Sequence, residues 1–559
     1  MKQKLNAPVK KNEEYIVKIV DYGSNGEGIA KIDNFTIFIP NAIKNEKCKI
    51  HITKVLSSHA FAKLIEVIEK SPFRVDEIDC KTYNQCGGCN LRHIKYEETL
   101  KIKQEKIQNL VNKELYNLSK LKNSDQNNNT NCNPHNNFSN NINDNIKSNL
   151  SNNKDDNENN NQSNEKIIVN KTIGMDDPFY YRNKAIFPVS KNGKVGIYKF
   201  NSHEIIPFEE CKIQTKVSQE IARYIVDNWN NTFYDEETHT GLLRNIMIRE
   251  GFSTREIMVC LVQNGTENLQ LKNAENDDDV KLFNKNNKIK NYNAKNNIDN
   301  IYNQHHENFL NSNNSNISNI ANLKIKDFDI SKLTEKFPNI KSIVVNVNTK
   351  KSNVILSQEN IVIYGNEYIE DTLCNKKFLI SANSFYQVNP VQTEKIYNLA
   401  IDEAKLKPNE TLCDLYCGVG TIGIIASDKV KKVYGIEINE NAILDAKKNA
   451  ELNGISNIEF INGDVEFAFD KLLNNGIKPN VVIVDPPRKG LDKQTISNLN
   501  KLNLERVVYI SCNPATLVRD LSMLSKNYEI KSITPIDNFC FTAHVESVTL
   551  LEIKKKIKS

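Results

Sequence analysis

The segment TLCDLYCGVGTIG, residues 411–423, carries the clearest structural signal in the chain. Its apolar first half predicts a buried strand, and Gly418, Gly420 and Gly423 follow in a GxGxxG pattern that opens a helix. Glycines at these spacings permit a tight turn and let the backbone approach a ligand closely. The surrounding sequence alternates between strand and helix patterns, which predicts an α/β domain with a mostly parallel, doubly wound sheet over residues 376–559.

Acidic residues follow three of the predicted strands, at the edge where open α/β sheets bind their ligands. Glu437 ends the strand 433–436 and can accept hydrogen bonds from two ribose hydroxyls. Asp464 follows the next strand, where it could meet an adenine amine, and Asp485 follows the apolar strand 481–484. The glycine turn alone fits a nicotinamide dinucleotide as well as S-adenosylmethionine, so it leaves both cofactors open.

A thiol, that of Cys512, follows the predicted strand 506–511 at the same edge. A dehydrogenase has no need for a thiol there, whereas methylation of carbon 5 of uracil requires one. A thiolate added at carbon 6 makes carbon 5 nucleophilic, and a base must then remove the carbon 5 proton. Glu546 is the candidate base, and His544 and Asp485 are alternatives. The target base would have to leave its stack to reach such a pocket.

The first 68 residues predict a separate small β-barrel. Short alternating strands are expected at 15–20, 28–32, 36–39, 47–54 and 60–67. Five strands in so short a segment are typical of an OB-like barrel, a fold often used on single-stranded nucleic acid. The formal net charge of +5 is compatible with a polyanionic partner such as RNA.

Cysteine usage points to metal binding or catalysis. The chain of 559 residues has neither a long apolar run nor a secretory signal, so we expect no membrane span and a cytoplasmic location. Twelve cysteines in such a chain favour metal or catalytic roles over disulfides. Cys80, Cys86 and Cys89 lie close together, and Cys211 is the candidate fourth ligand. The residues alone leave a zinc site, a 4Fe-4S cluster and chance open.

Two asparagine-rich segments, residues 123–164 and 265–324, interrupt a central domain expected at 69–375. They contain too little apolar surface to offset the entropy of ordering, which predicts disordered insertions in surface loops. A helix is expected before the first of them, at 95–121. The chain is therefore expected to form three domains, over residues 1–68, 69–375 and 376–559.

Five motifs taken together resemble those of one family. They are FLISANSFYQVNP (378–390), DLYCGVGT (414–421), DPPRKG (485–490), SCNP (511–514) and HVE (544–546). The combination resembles the RNA 5-methyluridine (uracil-C5) methyltransferases, over nearly the whole chain apart from the asparagine-rich segments. The resemblance implies a Rossmann-like methyltransferase domain that uses S-adenosylmethionine, and an N-terminal TRAM domain that binds RNA.

The resemblance also implies roles for individual residues. Cys512 would be the nucleophile and Glu546 the proton acceptor. The residues that would contact S-adenosylmethionine are Gln387, Tyr416, Glu437, Asp485, Thr421 and Asp464. The iron–sulfur branch of the family carries a 4Fe-4S cluster on a matching spacing, which implies Cys80, Cys86, Cys89 and Cys211 as ligands. That branch modifies 23S rRNA, which makes 23S rRNA the expected substrate and tRNA the alternative; no protein partner is implied.

Other functions make different demands on the same motifs. RNA 5-methylcytosine methyltransferases carry a cysteine after the proline where this chain has Asp485-Pro486-Pro487, and amino-group methyltransferases usually have an aromatic residue where Arg488 follows. A non-catalytic RNA-binding ribosome-assembly factor would keep its effect when Cys512 is replaced. An oxidoreductase with an iron–sulfur cluster would bind flavin or nicotinamide, which an absorbance spectrum would reveal.

Overall fold

The computed structural model describes residues 7–126, 167–271, 323–502 and 504–555. Within these ranges the chain forms an N-terminal barrel, a central sheet with helices and a C-terminal α/β unit, as the sequence predicts. Most of the two asparagine-rich segments lies outside the described residues, and the expected disorder there stays a prediction. None of the helices in the described ranges is long and apolar enough to cross a membrane.

The barrel is a six-stranded sheet with the order β1-β5-β6-β4-β3-β2. Its strands are β1 (Glu14–Lys18), β2 (Asp21–Tyr22), β3 (Gly28–Ile32), β4 (Phe35–Ile39), β5 (Lys47–Val55) and β6 (His59–Glu69). Alternate residues point inward, as Cys48, Ile50 and Ile52 do on β5. All five strands predicted from the sequence are present, and the two-residue β2 is an addition.

A long helix, α1 (Tyr96–Gln126), begins shortly after the cysteine-rich loop and extends beyond the predicted 95–121. Its buried residues Ile107 and Val111 belong to the same apolar cluster as Leu517 and Val518 of the C-terminal unit. Helix α1 was expected in the central domain. It packs instead on the C-terminal unit, because the apolar side chains that bury its apolar stripe belong to that unit.

The centre of the molecule is a five-stranded sheet with the order β15-β14-β11-β10-β7. The elements are β7 (Lys184–Pro188), β8 (Gly196–Tyr198), β9 (Ile205–Pro207), α2 (Lys216–Asp227), β10 (Leu243–Glu250), β11 (Ile257–Gln263), β12 (Leu269–Leu271), β13 (Leu323–Ile325), α3 (Ile330–Lys336), β14 (Ile340–Val347) and β15 (Asn360–Gly365). Strands β12 and β13 pair with each other, so both ends of the second asparagine-rich segment are ordered, contrary to the prediction for 265–324. The apolar side chains of Leu269, Leu323 and Ile325 are buried in the central core, which explains this order.

The C-terminal unit begins with a hairpin, β16 (Ile369–Leu373) and β17 (Lys376–Ile380), and the expected domain boundary at 375/376 falls in its turn. It continues through α4 (Pro390–Ala404), β18 (Thr411–Leu415), α5 (Thr421–Ala426), a 3₁₀ helix (Ser427–Lys429), β19 (Lys432–Glu437), α6 (Glu440–Leu452), β20 (Ile458–Asn462), α7 (Val465–Asn474), β21 (Val481–Val484), α8 (Lys493–Leu502), β22 (Arg506–Ser511), α9 (Pro514–Leu524), β23 (Tyr528–Ile536) and β24 (Glu546–Ile553). The seven strands have the order β20-β19-β18-β21-β22-β24-β23, in which β24 alone runs in the direction opposite to the other six. The central strands are buried along their whole length, as expected for a parallel sheet covered on both faces.

Candidate active site

Four of the predicted residues meet at one edge of the seven-stranded sheet. Tyr416, Glu437, Asp485 and Cys512 each end or directly follow one of the parallel strands β18, β19, β21 and β22. Because these strands are neighbours, their carboxyl ends lie side by side. This edge is where open α/β sheets bind ligands.

The last strand brings Glu546 to the same edge. Strand β24 is antiparallel to β22, so it begins where β22 ends, and Ser547 pairs directly with Ser511. Glu546 and Cys512 flank this pair. Asn513 then caps α9 by accepting a hydrogen bond from the Ala515 N–H at 3.2 Å, so the chain turns away immediately after the thiol.

Burial and neighbouring charges shift the protonation of the three groups at this edge. Burial, and secondarily the charge of Asp485, raises the pKa of Glu546 to about 8, and Arg488 opposes the rise. Burial raises the pKa of Asp485 to about 7. Burial and both carboxylates raise the pKa of the Cys512 thiol to about 11, again opposed by Arg488. Glu546 can therefore hold or release a proton near neutral pH, whereas Cys512 needs additional positive charge to ionise.

The glycine turn leaves an open cradle beside Glu437. Tyr416, Gly418 and Gly420 all have positive φ, and a Cβ at Gly418 would meet nothing within 4 Å. The Glu437 carboxylate accepts hydrogen bonds from the Gly418 N–H at 3.1 Å and from the Asn439 N–H at 2.9 Å. The hydrogen bond from Gly418 therefore holds the glycine turn and the Glu437 carboxylate next to each other.

One side chain at the site, the ring of Tyr397 in α4, was not predicted. Tyr397 is buried; burial and the charges of Asp485, Asp414 and Glu546 raise its pKa, and the nearby side chain of Gln387 opposes the rise. The ring therefore lies near both Gln387, in the loop before α4, and the carboxylates of Asp485 and Glu546. An apolar stripe along α4 predicts only that Tyr397 faces inward, so its position at the site had no signal in the sequence.

Two of the predicted residues lie at the N-termini of helices. Asp464 is exposed and caps α7 by accepting a hydrogen bond from the Glu466 N–H at 3.0 Å. Thr421 is the first residue of α5 and is buried behind the glycine turn. The Tyr416 hydroxyl donates to Asp492 at 3.2 Å, which fixes the ring beside the turn.

The four cysteines predicted to bind a cluster line a cavity of about 580 Å³. Cys80, Cys86, Cys89 and Cys211 line it together with Arg182, and none of the four forms a disulfide. Burial raises the pKa values of Cys86, Cys89 and Cys211, and the charges of neighbouring thiolates add to this. Across the described ranges, however, no set of three or more Cys, His, Asp or Glu side chains is spaced to hold a single metal ion.

Family models match two parts of the chain. A model described as tRNA (Uracil-5-)-methyltransferase matches residues 329–554, and one described as TRAM domain matches residues 8–65. A protein named as an uncharacterized RNA methyltransferase from Clostridium acetobutylicum is 38% identical over 553 residues, which are 98% of each chain. Another from Halalkalibacterium halodurans is 35% identical over 558 residues, or 99% of each.

The fold is also similar to a solved structure, the Pyrococcus abyssi tRNA (uracil-54, C5)-methyltransferase in complex with S-adenosyl-L-homocysteine. The TM-score is 0.61 at 23% identity, and the match covers 96% of this chain and 99% of that one. Identity at this level indicates a shared fold, whereas the full-length relatives indicate common membership of a family. The chain therefore belongs to the family of S-adenosylmethionine-dependent RNA (uracil-C5) methyltransferases.

Proposed function

We propose that this enzyme methylates carbon 5 of a uridine in 23S rRNA, with Cys512 as the nucleophile and Glu546 as the base. The observation that carries the mechanism is the antiparallel register of β22 and β24, since it brings the thiol and the carboxyl to one edge of the sheet. The raised pKa of Glu546, about 8, suits a group that must accept a proton in the reaction and release it afterwards.

The proposed reaction has three steps. The Cys512 thiolate adds to carbon 6 of the uracil, and the electron pair moves to make carbon 5 nucleophilic. Carbon 5 attacks the methyl group of S-adenosylmethionine, and S-adenosylhomocysteine leaves. Glu546 then takes the carbon 5 proton, the double bond between carbons 5 and 6 re-forms, and the thiolate departs.

The cofactor is expected to supply a positive charge as well as the methyl group. Burial and the carboxylates of Glu546 and Asp485 raise the pKa of the Cys512 thiol, and the positive charge of Arg488 lowers it. A sulfonium at this edge would act in the same direction as Arg488 and favour the thiolate. The residues proposed to hold the cofactor are Gln387, Tyr416, Glu437 and Asp485, with Thr421 and Asp464 at the periphery.

The four cysteines Cys80, Cys86, Cys89 and Cys211 are proposed to hold a 4Fe-4S cluster. A cluster of four irons separates its ligands further than one ion does, so a roomy cavity lined by four free thiols suits it better than zinc. The Gly88 N–H donates to the Cys86 sulfur at 3.2 Å, an interaction that stabilises a thiolate ligand. Because methyl transfer requires no electron, the role proposed for the cluster is structural.

The barrel offers a surface suited to RNA. The rings of Phe38 and Phe61 stack with centroids 5.7 Å apart, and His59 contacts both edge-on at 5.5 and 5.2 Å. Phe61 is 36% exposed, and Lys54 lies opposite it on β5. Partly exposed rings beside a lysine on an OB-like barrel are typical of surfaces on which unpaired bases stack.

Two RNA substrates, 23S rRNA and tRNA, are each supported by a different observation. The cysteine spacing favours 23S rRNA, whereas the family model and the Pyrococcus abyssi structure carry tRNA in their descriptions. The test is to incubate the oxygen-free protein with labelled S-adenosylmethionine and unmodified ribosomal and transfer RNA, and to digest both to nucleosides. Label in 5-methyluridine from 23S rRNA supports the proposal. Label from tRNA alone keeps the chemistry and overturns the substrate, and no label with either RNA overturns the catalytic mechanism.

A further inference from the structure

The turn of the barrel between β2 and β3 is bridged to the segment that precedes Glu546. In α1, Lys106 donates from Nζ to the carbonyl of Ser24 at 2.8 Å and to that of Ala543 at 2.9 Å. Asn90 makes a second bridge: its amide group donates to the carbonyl of Asn25 at 2.5 Å, and its side-chain oxygen accepts from the Ala543 N–H at 2.9 Å. Two side chains thus contact the barrel turn and residue 543 at the same time.

Apolar packing brings the same two parts together. A small buried cluster contains Ile43 of the barrel, Leu91, Ile102 of α1 and Ala543. Gly26, in the turn, has a φ of +84°, and a Cβ there would lie 2.4 Å from Leu91 and 3.6 Å from Ala543. The turn therefore lies against this segment with no space for a side chain between them.

The rest of the segment, residues 537–545, is also held from outside the C-terminal unit. Lys103 of α1 forms a buried ion pair with Asp537 and donates to the carbonyl of Phe539 at 3.1 Å. The Leu91 N–H donates to the carbonyl of Phe541 at 2.9 Å. The point at which β24 begins, and hence the backbone of Glu546, is set by contacts from α1, residues 90–91 and the barrel.

We propose that Asn90 and Lys106 are positioning residues for Glu546, through which the barrel turn at residues 24–26 controls the proton-abstraction step. The inference rests on the proposed role of Glu546 as the base. In that step the proton passes from carbon 5 to the carboxylate, the electron pair re-forms the double bond, and the bond between carbon 6 and the Cys512 sulfur breaks. The barrel then contributes to turnover in addition to any contribution to RNA affinity.

The test follows the covalent RNA–protein adduct in single-turnover reactions resolved on denaturing gels. Lys106→Met keeps the length of the side chain and removes its donors. We expect adduct formation and RNA affinity to stay within twofold of wild type, and adduct decay to slow roughly tenfold, since a displacement of about 1 Å can cost up to about 100-fold. Lys106→Arg, which can still donate to both carbonyls, should restore most of the decay rate. Lys113→Met, on an exposed position of the same helix, is the matched control and should behave as wild type.

A second variant removes the contact of Asn90 with the barrel turn and keeps its contact with residue 543. Asn90→Asp keeps an acceptor for the Ala543 N–H and loses the donor to Asn25, so it should slow decay by about two- to tenfold, the range expected from one hydrogen bond. Wild-type decay in both Lys106→Met and Asn90→Asp, or an equal loss in Lys113→Met, would overturn the inference while leaving the proposed function intact. A wild-type enzyme that forms no adduct would overturn the proposed function, and this inference with it.

Discussion

Replacing Glu546 with glutamine should make the protein more stable, and increasingly so as the pH rises. Glu546 is only 5% exposed, and its neighbour Asp485 carries a like charge. An ionised carboxylate in such a place has lost its hydration, and within the described residues it forms no ion pair, although the charge of Arg488 acts on it from nearby. Glutamine has the same shape and stays neutral, so Glu546→Gln removes the cost of ionisation without opening a cavity.

The size of the effect follows from the pKa of this group. Burial raises the pKa of Glu546 from 4.5 to about 8. Each unit corresponds to about 1.4 kcal/mol, so the free energy of unfolding changes by up to about 5 kcal/mol. Because the folded protein keeps a proton that the unfolded chain has already released, this contribution to stability is complete below pH 4.5 and is lost as the pH rises to about 8. The advantage of Glu546→Gln should therefore grow across that window and level off above it.

Urea unfolding of the unliganded protein, followed by circular dichroism at pH 5 and pH 8, measures this difference. Glu529→Gln, on an exposed position of the adjacent strand β23, is the matched control and should change little at either pH. In the presence of RNA and cofactor, Glu546→Gln should also accumulate the covalent adduct. The same stability difference at both pH values, or a variant that is less stable at pH 8, would refute the reasoning about burial.

Three further outcomes are expected. Cys512→Ser should abolish methyl transfer and adduct formation while equilibrium dialysis finds cofactor affinity within about twofold of wild type, because a hydroxyl is a far weaker nucleophile than a thiolate. Cys211→Ala should lower the iron content of protein prepared without oxygen, whereas Cys260→Ala, at a buried position of β11, should not; equal iron in both would refute the ligand assignment. Phe61→Ala should weaken RNA binding by roughly 5- to 100-fold, the range for loss of one base–ring stack. Ile16→Ala, at a more exposed apolar position on β1, should leave binding unchanged; equal affinity of the two variants would rule out the aromatic surface.

The residues at the sheet edge were predictable because local patterns determine them. A short, β-branched apolar run such as 481–484 is typical of an inner strand, and the Pro-Pro after Asp485 ends it at a defined residue. Parallel topology then brings the ends of neighbouring strands together, so Glu437, Asp485 and Cys512 could be grouped without coordinates. The pairing of β24 with β22 adds Glu546 to this edge, and its role as the base stays a prediction.

Contacts between distant parts of the chain were not predictable in this way. The apolar stripe of α1 shows that the helix must be covered, but the stripe has no feature that selects the C-terminal unit over the central sheet. Tyr397 is a similar case: the apolar stripe of α4 predicts that its ring points inward, but the sequence does not show which residues it meets there. The strand pair β12–β13 was missed because short apolar triplets within a polar, asparagine-rich composition resemble the rest of the insert.

The packing of α1 has a consequence for the newly made protein. Lys103 is completely buried, and its partner Asp537 lies 434 residues later in the sequence. At a synthesis rate of roughly 5–20 residues per second, the ribosome needs roughly 20–90 s to reach that partner. Throughout this interval Ile107 and Val111 lack the C-terminal side chains that bury them, such as Leu517 and Val518, so the nascent chain exposes apolar helix surface from early in translation. Chaperones that bind such helices should therefore associate with the chain until β23 emerges, and a fragment that ends before residue 537 should depend on them permanently.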